Sequence, residues 1–252
     1  VSEAAARRAI ALDDSLADAH ATLGLVRMRQ HDLAAAEASL RRATVLDPGV
    51  ALYREWLVKV YIWSGRAQEA LTEAEGAVRL APLSPSATAE LARALLANGR
   101  CDEALSQLRK LAGLEPPLAR VPALTAQCYI QKRMWGEAIA AVRPQAEQGT
   151  VLALGTFGYA LARAGQREEA TRVLNSMLER EHHGGGLSLQ IALVYLGLGD
   201  LDRAVPFLES AGETALLSGM AEQAALAASL LDSLRGDARI ARLRRRLGLQ
   251  NR

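Results

Sequence analysis

Aromatic side chains are scarce in this sequence. Phe, Trp and Tyr together make up 4% of it, although half of all residues are apolar. Ala and Leu carry most of the apolar half, and with Arg and Glu they are strong helix formers. Long β-branched runs, the mark of buried strands, are few. An all-α protein with small residues at its helix contacts is the fold class this composition implies. Cysteine is almost as rare. Cys101 and Cys128 are the only two, too few for a disulfide framework, and with four histidines they form no zinc-ligand spacing. Charge of one sign is lacking as well. The 30 Lys and Arg against 28 Asp and Glu leave a formal charge of +2, without the basic excess of most nucleic-acid binders. No apolar run approaches the ~20 residues that a bilayer-spanning helix needs. At 252 residues the chain sits near the ~250 to 300 where a single compact core stops growing, so one domain and an extended array both fit.

What the sequence does have is self-similarity. Ala36, Ala70, Ala104, Ala138, Ala170 and Ala204 follow one another at spacings of 34, 34, 34, 32 and 34 residues. A large apolar residue stands four positions after most of them: Leu40, Leu108, Val142, Leu174 and Leu208, with Ala74 the small exception. Pro48, Pro82 and Pro116 then close a segment. The preceding half of each unit repeats too. A large-then-small pair recurs at Leu23-Gly24, Leu57-Val58, Leu91-Ala92, Phe157-Gly158 and Ile191-Ala192, with Thr125-Ala126 in the same register. Tyr61, Tyr129 and Tyr195 come three residues after the small one, and Gly65, Gly99, Gly165 and Gly199 stand at the turn between two helices.

The physical reading is a series of helix pairs. Helices of about 14 residues are marginal alone, so they must pack. Small side chains let neighbouring helices approach, glycine takes the turn, and proline ends the second helix. No unit buries its apolar face by itself, so the stack is the folding unit.

This pattern resembles the tetratricopeptide signature, Trp-x-x-Leu-Gly-x-x-Tyr followed by Ala-x-x-x-Phe and Pro. The resemblance implies a right-handed α-solenoid of antiparallel helix pairs. A partial unit would occupy 1–16, full units 17–50, 51–84, 85–118, 119–150, 151–184 and 185–213, and capping helices 214–252. The sequence departs from the family where Trp is usual, with His20, Arg54, Thr88, Pro122, Leu154 and Ser188. Pro144 and Thr150 make the fifth pair irregular, and a bend or shortened helix is expected at 143–150. Gly184-Gly185-Gly186 is expected to be a flexible joint.

In such arrays the first helix of each unit lines a concave face. Carried over, this gives Leu25, Met28 and Arg29, then Glu55, Lys59, Ile62 and Trp63, then Arg93 and Leu96, then Gln127 and Gln131, then Tyr159 and Arg163, and finally Leu189 and Leu193. The expected partner-binding set is Arg29, Lys59, Trp63, Arg93, Gln127, Gln131, Tyr159, Arg163, Leu189 and Leu193. Cations mixed with aromatics suit an extended or helical peptide with acidic residues and an apolar anchor. The asparagine-based clamp for a terminal carboxylate found in chaperone-binding relatives is not evident, since Leu25 and Lys59 occupy its places.

The final segment carries Ile240, Leu243 and Leu247 on one face and Arg239, Arg242, Arg244, Arg245 and Arg246 around the rest. A capping helix with a polar outer face is the plain reading. Contact with nucleic acid or an anionic surface is the alternative. The stretch from Leu231 to Leu249 is similar to the end of the tetratricopeptide half of bacterial signalling proteins, in which the array follows a kinase, winged-helix or cyclase domain. The resemblance implies a regulatory half in the cytoplasm, or in the periplasm where a preceding segment carries a membrane anchor. It implies no cofactor, no small-molecule substrate and no enzyme activity. His182 and His183 before the glycine run have no carboxylate or cysteine at ligand spacing, and no strand precedes those glycines. Cys128 reads as a core thiol, and Cys101 would be reactive only if exposed.

Overall fold

The structure is a computed structural model that describes residues 3–114 and 118–214. Expectations placed on Pro116 and on the Arg-rich end fall outside those residues. Among the described residues every regular element is a helix. In the first part these are α1 (Glu3–Leu12), α2 (Ala17–Arg29), α3 (Leu33–Leu46), α4 (Ala51–Trp63), α5 (Ala67–Leu80), α6 (Pro85–Ala97) and α7 (Cys101–Lys110). In the second they are α8 (Arg120–Gln131), α9 (Trp135–Glu147), α10 (Val151–Arg163), α11 (Arg167–His182), α12 (Ser188–Leu198) and α13 (Leu201–Thr214). The chain divides into two compact units at residues 1–118 and 119–252.

Within the first unit α2 packs on α3, α4 on α5 and α6 on α7, while α3 meets α4 and α5 meets α6. The second unit repeats the scheme, with α8 on α9, α10 on α11 and α12 on α13, and α10 lying against both α9 and α12. The six periodic alanines explain why the pairs close up. Ala36, Ala70, Ala104, Ala138, Ala170 and Ala204 all have 0% exposure, and no larger side chain fits a contact packed to interior density.

Helical glycines serve the same end. A Cβ on Gly24 would stand 2.7 Å from Leu40 Cγ on α3, and one on Gly158 would stand 2.5 Å from Val194 Cγ2 on α12. At Gly155 the obstacle is backbone, with Gln190 Cα at 2.9 Å.

The turn inside each pair reverses the chain through a left-handed residue. Gly65, Gly99, Gly165 and Gly199 have φ of 69°, 73°, 83° and 81°. The two other pairs use the same conformation without glycine, at His31 (φ 60°) and Arg133 (φ 58°). The sequence register reaches both positions, but the glycine pattern does not announce them.

The structure describes both places expected to be irregular. Pro144 lies inside α9, yet the helix runs on to Glu147 and is 13 residues long, no shorter than α8 or α10. Proline costs α9 one backbone bond, and the left-handed residue beyond its end is Gly149, with φ of 74°. The run of three glycines is a hydrogen-bonded turn. Gly185 N–H donates to Arg180 O, and the Glu181 carboxylate accepts from Leu187 N–H and from the Ser188 hydroxyl at the start of α12.

An ion-pair network ties α3, α4 and α5 together. The Glu37 carboxylate accepts from Arg41 Nε at 2.9 Å, Arg66 Nη1 at 2.5 Å and the Tyr61 hydroxyl at 3.1 Å. The Arg66 guanidinium also stacks over the Tyr61 ring, 4.6 Å from its centre. Burial works against ionising Glu37, but these three donors outweigh it and hold its carboxyl below the usual range. Burial in turn pushes the Tyr61 phenol up to about 12.

Candidate partner-binding residues and their surroundings

In the first unit the expected residues come from α2, α4 and α6, and they fall into two kinds. Arg29, at the end of α2, is exposed. Lys59 and Trp63, one turn apart on α4, are half-buried. Trp63 leans on the His31 imidazole, and neither its Nε1 nor His31 Nε2 has a hydrogen-bond partner among the described residues.

Arg93 differs from them. It is only 7% exposed, and its Nε lies 3.4 Å from Oε2 of Glu90, one turn earlier on α6 and fully buried. Lys59 Nζ approaches the other oxygen of Glu90 at 3.7 Å. A buried carboxylate must be paired, and here two cations answer one acid. Arg93 is thus part of the packing of α6 rather than a cation held out to a partner. Sequence reasoning passed over Glu90. Its signal was an acid three residues before Arg93 in an otherwise apolar helix. Glu55 is also buried and accepts from the Ser86 hydroxyl at 2.6 Å, while Met28 and Leu96 lie in the core.

In the second unit Gln131 and Arg163 are exposed at the ends of α8 and α10, whereas Gln127 and Tyr159 are buried. Leu189 and Leu193 are buried on α12 beside Ile191 and Ala192, so neither offers its side chain to a partner. The structure adds two residues that the wall positions did not include. Trp135, at the start of α9, meets the Tyr159 ring edge-on at 6.3 Å, and the Arg163 guanidinium lies over its indole at 5.6 Å. Arg133, in the left-handed turn before α9, is the second. Burial pushes the Tyr159 phenol up, and Arg163 and then Arg133 pull it back.

Other candidate groups fall away from any site. Cys101 and Cys128 are both buried, His182 and His183 are exposed at the end of α11, and among the described residues no three His, Cys, Asp or Glu side chains group as a metal site. No helix among the described residues is long and apolar enough to cross a membrane.

Family comparison decides the nature of the repeat. Two tetratricopeptide repeat family models match, one over residues 21–85 and the other over 61–128. Residues 21–128 carry tetratricopeptide repeats. Solved structures of tetratricopeptide type extend the likeness in fold. A Rap protein complexed with competence and sporulation factor is 16% identical, with a TM-score of 0.65 over 90% of this chain and 72% of that one. YrrB, a tetratricopeptide protein with an unusual peptide-binding site, is 21% identical, with a TM-score of 0.51 over 71% and 93%. A tetratricopeptide repeat protein from Parabacteroides merdae is 18% identical, with a TM-score of 0.57 over 94% and 93%. No curated protein matches the chain. The tetratricopeptide repeats and these neighbours establish an all-α architecture of the α-solenoid type.

Proposed function

We propose that this chain is a non-catalytic interaction scaffold that holds a peptide or protein segment. The observations that carry this reading are the exposed Arg29 at the end of α2 and the half-buried Trp63 at the end of α4. The Trp63 indole keeps part of its surface exposed, while its N–H is buried without a partner among the described residues. Trp and Arg are the side chains that most often dominate recognition, and Arg29 supplies an exposed charge for an acidic residue of the guest. The reading gains support from a neighbouring fold complexed with competence and sporulation factor and from another with an unusual peptide-binding site.

The resemblance of residues 231–249 to the end of bacterial regulators extends the proposal. The scaffold serves as the regulatory half of a signalling protein.

Selection of a random dodecapeptide library on the immobilised chain tests the reading. Selected peptides should bind the Arg29→Glu, Trp63→Ala double variant at least ten times more weakly, with helical circular dichroism unchanged. Equal binding by that variant would remove this group from the site.

A further inference from the structure

The first unit carries a row of exposed apolar side chains apart from its candidate peptide-binding residues. Leu12, Leu16, Val45, Leu52, Leu80 and Leu83 are exposed, most strongly Leu12 at 81%, Val45 at 72% and Leu83 at 95%. No other large hydrophobic side chain among the described residues is exposed. All six stand where one helix pair passes to the next, at the α1–α2, α3–α4 and α5–α6 junctions. Because the two helices of a pair run antiparallel, these junctions share the edge opposite the left-handed turns at His31, Gly65 and Gly99. Side-chain bonds make the edge continuous. Tyr53 at the start of α4 donates to Asp18 at the start of α2, and the Ser86 hydroxyl at the start of α6 donates to Glu55 on α4 at 2.6 Å.

Single exposed leucines need no explanation, but a run of them on one edge marks a contact surface. The repeat does not require them. The matching junctions of the second unit present Gln148, Gly149 and Thr150, then His183 and three glycines. The charges of the edge narrow the choice of occupant. Residues 12–18, 45–52 and 79–86 contain four aspartates, Asp13, Asp14, Asp18 and Asp47, against Arg79 alone. Arg42 reaches Asp14 at 2.8 Å, whereas Asp13 accepts from Ser15 and Asp47 from the Gly49 N–H, with no cation on either among the described residues. Such an edge repels an anionic lipid surface and the same edge of a second copy. It attracts an apolar segment rich in cations. The stretch of this sequence with that character is 239–247, which sets Ile240, Leu243 and Leu247 at helical spacing among five arginines and has no acid.

We infer that this edge of the first unit is a docking surface for residues 239–247 of a second copy of the chain. The leucines and Val45 take the apolar side chains of the segment, and Asp13 and Asp47 meet its arginines. The contact joins two different surfaces, so association continues beyond a dimer as concentration rises. The inference goes beyond the peptide-holding reading, uses none of its residues, and fails or stands separately.

Sedimentation velocity of the full chain from micromolar to submillimolar concentration tests it. The parent should shift to faster species as concentration rises, and added salt should weaken the shift. Leu12→Ser with Leu83→Ser should raise the dissociation constant about ten-fold or more. Both side chains are so exposed that helicity should not change. Asp13→Asn with Asp47→Asn, and separately Arg242→Gln with Arg245→Gln, should each raise it several-fold. A synthetic peptide of residues 236–250 should dissociate the parent assemblies and bind the parent better than the serine variant. A parent that stays monomeric throughout would overturn the inference, as would association that the serine variant or the glutamine variant leaves unchanged. Peptides held at Arg29 and Trp63 should bind the parent and the serine variant alike, which keeps the two readings separate.

Discussion

The His31 imidazole lies against the Trp63 indole, ring centres 6.1 Å apart and planes tilted by 32°. His31 makes this contact from a left-handed backbone conformation, φ 60°, at a turn where the following pair has Gly65. The contact therefore offsets strain, and the only other non-glycine residue described in that conformation, Arg133, has no such partner ring.

Changing the two residues to glycine should separate strain from contact. Arg133→Gly removes the strain with little loss of packing, and thermal unfolding should show a gain of about 1 kcal/mol. His31→Gly gives up a ring contact of about 0.5–1.5 kcal/mol, so its net change should be near zero. A clear loss of stability in Arg133→Gly would mean that the arginine is needed by the fold.

Gly155 and Gly136 should respond to alanine in opposite directions. A methyl on Gly155 meets the backbone of Gln190 at 2.9 Å, whereas nothing lies within 4 Å of one on Gly136. Gly155→Ala should cost about 1–3 kcal/mol by overpacking α10 against α12, although alanine is the better helix former. Gly136→Ala should gain about 0.5 kcal/mol from propensity alone. Urea denaturation with matched slopes decides both.

Glu181 should matter more than its exposed neighbours on α11. Its carboxylate satisfies Leu187 N–H and the Ser188 hydroxyl at the entry to α12. Glu181→Ala leaves those donors without their acceptor and should cost about 1–3 kcal/mol. It should also speed hydrogen exchange at Leu187 before the rest of the unit is affected.

The Glu37 network predicts two pH limits. The Glu37 carboxyl is depressed on folding, so its contribution is present above the unfolded value near 4.5 and is lost as pH falls through the folded one. Glu37→Gln should flatten the acid side of the stability profile. The Tyr61 phenol is raised from 10.0 to about 12, so stability should fall as pH climbs through that interval, and Tyr61→Phe should remove part of the fall. A parent profile unchanged by either substitution would contradict the network.

The repeat itself was legible in the sequence, because periodic alanines and turn glycines are local requirements of helices that must touch. Ala36 through Ala204 had to be small wherever the pairs lay in space, and a 34-residue period left one helical architecture able to use them. Tertiary structure decided which polar residues remained available. Arg93 and Arg163 are the same residue type at related helical positions, yet Arg93 is committed to a buried Glu90 while Arg163 lies over Trp135 without an acid. Sequence spacing fixes the face of a helix, whereas the charge that answers a guanidinium comes from whatever packs beside it. That depends on neighbours such as Glu90, Trp135 and Arg133, whose proximity only the folded chain creates.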